Sequence, residues 1–159
     1  MTSGPQPGDK APDFDLPSDE GGTVDLGDFK GQAVALYFYP KDDTPGCTNE
    51  AKAFTALKDQ FDAAGAVVVG VSKDSVKSHG RFRQKYELSV RLASDIEGLA
   101  VERYGVWVQK SLYGRSYMGI ERATFLIDGS GVVRRVWRKV KVPGHAADVL
   151  AAAAALAAE

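Results

Sequence analysis

Two continuous apolar runs, "QAVALYFYP" at 32–40 and "AVVVGVS" at 66–72, stand on either side of the helical stretch "NEAKAFTALKDQFDAAG". This alternation narrows the possible folds more than any other feature of the chain. A run without polar interruption suits a strand buried on both faces. In the stretch between, Ala53, Phe54, Leu57 and Phe61 recur at helical spacing, and Gly65 is placed to end the helix. The alternation continues with a helix in "SVKSHGRFRQKYEL" introduced by Asp74, a short strand in "VRLASD", a short helix in "EGLAVERYGV" and an alanine-rich helix from about Ala146. Hairpins are predicted in "PDFDLPSDEGGTVDLGDFKG", around Gly-Gly, and in "RATFLIDGSGVVRRVWRKV", around Asp-Gly-Ser-Gly. The segment "WVQKSLYGRSYMGIE" reads as a loop long enough to be functional. The expected fold is α/β: a central mixed sheet flanked by helices on both faces, with an N-terminal β-hairpin extension. At 159 residues, without repeat or linker, the expectation is one domain over 1–159.

The formal net charge of −1 gives no bulk electrostatic reason for a nucleic-acid partner. No apolar run approaches the length of a membrane span, and "MTSGPQPGDKAPDF" lacks the apolar core of a signal peptide. A single cysteine, Cys47, forms no internal disulfide, which favours a reducing compartment; the expected location is the cytoplasm.

That cysteine sits at a strand-to-helix junction, in "YFYPKDDTPGCTNEAKAF". With Thr44 as N-cap and Pro45 at the first helical position, Cys47 falls in the first turn, near unpaired backbone N–H groups and the positive end of the helix dipole. Negative charge on sulfur is favoured there. Two readings stand side by side. A lone cysteine is ordinarily a small buried hydrophobe. This one lies outside any apolar stripe and beyond the C-terminal end of a buried strand, where open α/β sheets bind ligands.

The residues Pro40, Thr44 and Cys47 within "PKDDTPGC", with Arg122 in "GIERATFLID", resemble the signature of the peroxiredoxins. Further likeness lies in "GDKAPDFDLP", "VVVGVSKDS" and "RATFLIDGSGVV", and the nearest pattern is the bacterioferritin-comigratory-protein or Q-type branch. The resemblance implies a thioredoxin-like fold and a thiol peroxidase without cofactor or metal, acting on hydrogen peroxide and organic hydroperoxides. It implies that Cys47 attacks peroxide and becomes a sulfenic acid. The Thr44 hydroxyl, the Cys47 N–H and the Arg122 guanidinium would donate to the reacting oxygens, and Pro40 would shield the sulfur. A monomer is expected from the same likeness.

One departure matters. Where many members of that branch carry a second cysteine, five residues after the first, this chain has Lys52, and no other cysteine follows. The sulfenic acid would then be reduced by an external thiol, either a small thiol or a protein such as thioredoxin or glutaredoxin. Two rival readings remain: a thiol–disulfide oxidoreductase, disfavoured by Thr44 in "TPGC", and a non-catalytic thioredoxin-like binding or chaperone domain with an inert Cys47.

Other residues read more plainly. Glu50, one turn after Cys47, is within reach of the site but reads as an ordinary acid of the first helical turn; Asp42 and Asp43 read as solvated loop residues, and Arg122 beside Glu121 as a solvated pair. His79 and His145 stand isolated, without metal-ligand spacing. The basic "RRVWRKVK" reads as an edge strand guarded by charge. Tyr113, Arg115, Tyr117 and Met118 are candidates for a peroxide mouth.

Overall fold

The computed structural model describes residues 4–159, so Met1–Ser3, at the head of the stretch read for a signal peptide, lie outside the described residues. The chain runs through β1 (Asp15–Pro17), β2 (Thr23–Asp25), a 3-10 helix (Leu26–Phe29), β3 (Ala33–Phe38), α1 (Pro45–Ala56), α2 (Lys58–Ala63) and β4 (Ala66–Ser72). It continues through α3 (Val76–Tyr86), β5 (Arg91–Ser94), α4 (Leu99–Arg103), β6 (Trp107–Leu112), β7 (Arg115–Ile120), β8 (Ala123–Ile127), β9 (Val133–Trp137) and α5 (His145–Ala157).

The apolar run of β3 takes the central place in a five-stranded sheet of order β5-β4-β3-β8-β9. Pairing is parallel with β4 and antiparallel with β8, so the sheet is mixed. Alternate β3 residues serve two cores. Val34, Leu36 and Phe38 pack with Phe125, Tyr104, Val101 and the N-terminal hairpin. Ala35 and Tyr37, with Tyr39 just beyond the strand, pack with Phe54 of α1, Phe61 of α2, Phe82 of α3 and Val149 of α5. Both faces are therefore dry, which is why the strand shows no polar alternation. This is the thioredoxin-like arrangement that the sequence led us to expect, with the β1–β2 hairpin as its extension.

Four expectations need correction. Residues 107–121 are not a loop but the antiparallel hairpin β6–β7, closed by Tyr113 (φ 51°) and Gly114 (φ 77°). Two consecutive positive φ values are those of a primed two-residue turn, whose twist matches that of the strands; Tyr-Gly is a weak signal for it. The helix read as continuous to Gly65 breaks at Leu57, whose N–H bonds Phe54 O at 3.1 Å, three residues back instead of four. Across the break the rings of Phe54 and Phe61 stand 5.8 Å apart, in one core. Helix α3 is capped by Ser75, whose hydroxyl accepts from Ser78 N–H at 3.1 Å, and not by Asp74, whose carboxylate is engaged elsewhere. The end of the first predicted hairpin is the 3-10 helix, held by a reciprocal capping box of Asp25 and Asp28.

The basic stretch begins on β9, an edge strand as expected, and its three arginines are partnered. Arg134 meets Asp128 and Glu159, Arg135 lies over Trp137, and Arg138 pairs with Glu121. Among the described residues, no helix is long and apolar enough to cross a membrane.

Gly70 on β4 lies beneath the ring of Tyr37 on its neighbour β3, where an added Cβ would stand 2.7 Å from Tyr37 Cζ. That ring is fully buried and stacked on Phe54 at 4.8 Å, so it has no room to withdraw. Gly70→Ala is therefore expected to destabilise the fold by about 1–3 kcal/mol, read as a lower urea midpoint at unchanged m-value.

Candidate active site

The register of the central strands decides which residues meet. Phe38, the last residue of β3, pairs with Ala123, the first of β8. Arg122, one residue earlier, thus enters beside the point where the chain leaves β3 for α1. Its Nη2 lies 3.4 Å from Cys47 Sγ and its Nη1 lies 2.6 Å from Glu50 Oε1. The solvated pair with Glu121 does not form; Glu121 turns to Arg138.

Helix α1 starts as the sequence suggests, with Thr44 at the N-cap, Pro45 first and Cys47 third. The Thr44 hydroxyl, however, makes no capping bond. It donates to Lys41 O at 2.8 Å, so the first-turn amides of Gly46 and Cys47 are left without a side-chain cap. With its proton so placed, the hydroxyl keeps a lone pair free to accept. Gly46 leaves room for the guanidinium: a Cβ there would stand 3.1 Å from Arg122 Nη2. Cys47 is 2% exposed. Pro40, half-buried, occupies the bend just after β3.

Glu50 is the residue that sequence reasoning set aside. Because α1 begins at Pro45, Glu50 lies in its second turn and not its first. It is 1% exposed, with one oxygen on Arg122 and Oε2 without a partner among the described residues. The available signal was its i+3 spacing from Cys47, which puts both on one helix face. Burial raises the Glu50 carboxyl from its ordinary 4.5 to about 7, against the opposing charge and hydrogen bond of Arg122. Burial pulls Arg122 down, but Glu50 and Cys47 raise it further, so it stays a cation. Lys110 on β6 is lowered by burial and by repulsion from Arg122, with the charges of Cys47 and Glu121 opposing. Of the hairpin residues expected at the mouth, Tyr113 is 96% exposed at the tip, and Arg115, Tyr117 and Met118 are exposed along β7.

Asp42 and His79 are neither solvated nor isolated. Asp42 is buried and accepts from Tyr39 Oη at 2.6 Å and Ser78 Oγ at 2.8 Å, with His79 Nδ1 at 2.7 Å. Ligand atoms of Asp42, Asp74 and His79 lie within 4.8 Å of one another. Protein donors occupy them: Asp74 Oδ2 takes Asp42 N–H at 2.8 Å and Ser72 Oγ at 2.6 Å. His145 is buried with Nε2 on Thr124 Oγ1 at 2.8 Å, and burial lowers its pKa.

A sulfur held by a cation at a helix start can do nucleophilic chemistry, and comparison with known proteins points the same way. The AhpC/TSA family model matches residues 7–136. The putative peroxiredoxin bcp of Coxiella burnetii is 57% identical over 143 residues, covering 90% of this chain and 95% of that protein. A structure of Xylella fastidiosa PrxQ superposes with a TM-score of 0.92 at 39% identity, covering 98% of this chain and 99% of that one. A structure of Xanthomonas campestris bacterioferritin comigratory protein, from work on its alkyl peroxide reduction activity, gives 0.86 at 45% identity, covering 91% and 92%.

The Glu50 shift sets a pH dependence of stability. Its folded-state value lies above the unfolded one, so the stabilisation is present below about 4.5 and is lost as pH rises toward about 7. Urea midpoints measured across that window are expected to fall for the unmodified protein relative to Glu50→Gln, which lacks the titrating group.

Proposed function

The chain belongs to the AhpC/TSA family, among its Bcp/PrxQ peroxiredoxins, and is a thiol peroxidase; we propose that Cys47 alone carries its cycle. The observation that supports this most is the 3.4 Å contact between Arg122 Nη2 and the only sulfur of a cysteine in the chain. A guanidinium at that distance holds negative charge on Sγ and can follow the charge as it moves onto the peroxide.

In this reading the Cys47 thiolate attacks one oxygen of ROOH. The S–O bond forms, the O–O bond breaks, sulfur is oxidised, and the departing RO⁻ takes a proton to leave as ROH. The uncapped Cys47 N–H and Arg122 donate to the oxygens, while the Thr44 oxygen accepts the peroxide O–H. Pro40, which has no N–H, contributes to the dry wall around the sulfur. Glu50 fixes the guanidinium on the side away from the sulfur. Positioning and electrostatics thus carry the reaction, with no group beyond these side chains in the scheme.

The product is Cys47–SOH. Lys52 occupies the exposed face of α1 where a second cysteine would serve, so the oxidised sulfur is resolved by a thiol from outside. One external thiol gives a mixed disulfide and water, and a second releases Cys47–SH with a new disulfide. Small thiols and thioredoxin- or glutaredoxin-type proteins both have the needed chemistry. The substrates in this reading are hydrogen peroxide and organic hydroperoxides, and the protein works as a single-domain monomer in the cytoplasm.

Rapid mixing of the reduced protein with peroxide is expected to add one oxygen to Cys47, visible by mass, and to be abolished in Cys47→Ser. Arg122→Met is expected to slow that step by about 10²–10³-fold, the scale of losing one preorganised donor to a reacting oxygen. Full turnover requires added thiol. Oxidation at unchanged rate in Arg122→Met, or peroxide turnover by Cys47→Ser, would refute the scheme.

A further inference from the structure

One buried titratable side chain takes no part in the scheme above. His79, on α3, is 0% exposed, and each of its ring nitrogens faces an acceptor. Nδ1 lies 2.7 Å from Asp42 Oδ2, and Nε2 lies 3.0 Å from the Ala93 carbonyl of β5. Carboxylates and carbonyls only accept, so both contacts are satisfied when both nitrogens carry hydrogen. A neutral ring would turn a lone pair against one of those oxygens in a site without water access. A proton on Asp42 instead fits poorly, because that carboxyl already receives the Tyr39 and Ser78 hydroxyls.

The surroundings of the ring come from four elements. The β3–α1 loop supplies Asp42 and Tyr39, whose hydroxyl is 3.4 Å from Nδ1; the β4–α3 turn supplies the charge of Asp74. Strand β5 supplies Ala93 O, and α3 itself supplies Ser78. Burial lowers the His79 pKa, but the hydrogen bond and charge of Asp42, then Ala93 and Asp74, raise it by more.

Asp42 belongs to the short segment that carries Thr44 and launches α1. The same segment is tied to α3 a second time through Asp43, which accepts from Tyr86 Oη at 2.6 Å and Lys85 Nζ at 2.9 Å. Of these ties, only the His79 one is buried and able to lose a proton near neutrality.

We propose that His79 is a positioning residue held as an imidazolium, which latches the Asp42 loop to β5 and keeps the first turn of α1 closed over Cys47. The proposal rests on the reading that an external thiol regenerates Cys47. Cys47, a residue only 2% exposed, meets such a thiol when this turn gives way. Loss of the His79 proton removes a donor either from Asp42 or from the β5 anchor. The turn then opens more readily, so thiol attack on the sulfenic acid quickens with rising pH, while peroxide attack, which uses the closed site, does not.

The first test is nitrogen NMR of the unmodified reduced protein with labelled histidines. Both ring nitrogens of His79 are expected to be protonated at about pH 7, above the ordinary histidine range; one bare nitrogen there would overturn the proposal. The second is amide exchange and stopped-flow kinetics of His79→Gln. Exchange at residues 42–48 is expected to rise about tenfold, as for a local opening made easier. Regeneration by a small thiol, scaled to its thiolate concentration, should become pH-independent and about tenfold faster, following the opening equilibrium. Unchanged exchange in a folded variant would overturn the latch. The NMR and exchange readouts need no peroxide, so they stand or fall apart from the role of Cys47. Should His79→Gln not fold, the NMR result on the unmodified protein decides.

Discussion

The site depends on one constraint: β3 is dry on both faces and paired on both edges. Val34, Leu36 and Phe38 fill one core while Ala35 and Tyr37, with Tyr39 just beyond the strand, fill the other. A strand so enclosed has no polar exit along its length, so polar residues gather where it ends. There the chain must turn into α1, and there the antiparallel register with β8 delivers Arg122. The packing that stabilises the sheet is thus also what aims the guanidinium at the sulfur.

Arg122 serves two partners at once, Cys47 Sγ and the Glu50 carboxyl. The two are not equivalent. Glu50 is deeply buried and its proton is held to about pH 7, so near neutrality it is only partly charged and competes only in part for the guanidinium. A fully ionised carboxylate at the same place would neutralise the charge that the sulfur needs. Burial of Glu50 therefore shapes the electrostatics of a residue three positions away.

The loop between β3 and α1 is held from the opposite side by α3. Asp42 is fastened in the interior by Tyr39, Ser78 and His79, and Asp43 at the surface by Lys85 and Tyr86. Asp43 adopts φ 59°, a left-handed conformation that an aspartate tolerates better than most residues. The segment carrying Thr44 is therefore fixed by contacts remote in sequence as well as by its own local bonds, Tyr39 to Asp42 and Thr44 to Lys41 O.

The sequence by itself determined the central strands, the start of α1 and the place of Cys47 within it. Those follow from local signals: uninterrupted apolar runs, a Thr-Pro-Gly cap and helical spacing. The family likeness added Arg122, which no local pattern distinguishes from a surface arginine. What the tertiary structure alone decided are the partners. Glu50, Asp42 and His79 read as ordinary solvated or solitary residues because burial and pairing are properties of packing, and the residues that pair are 72 positions apart for Arg122 and Glu50 and 37 for His79 and Asp42. The β6–β7 hairpin has a related reason: its strands carry exposed apolar residues, Leu112, Tyr117 and Met118, among polar ones, so no buried face marks them, and its turn rests on a backbone conformation of Tyr113 that side-chain chemistry scarcely announces.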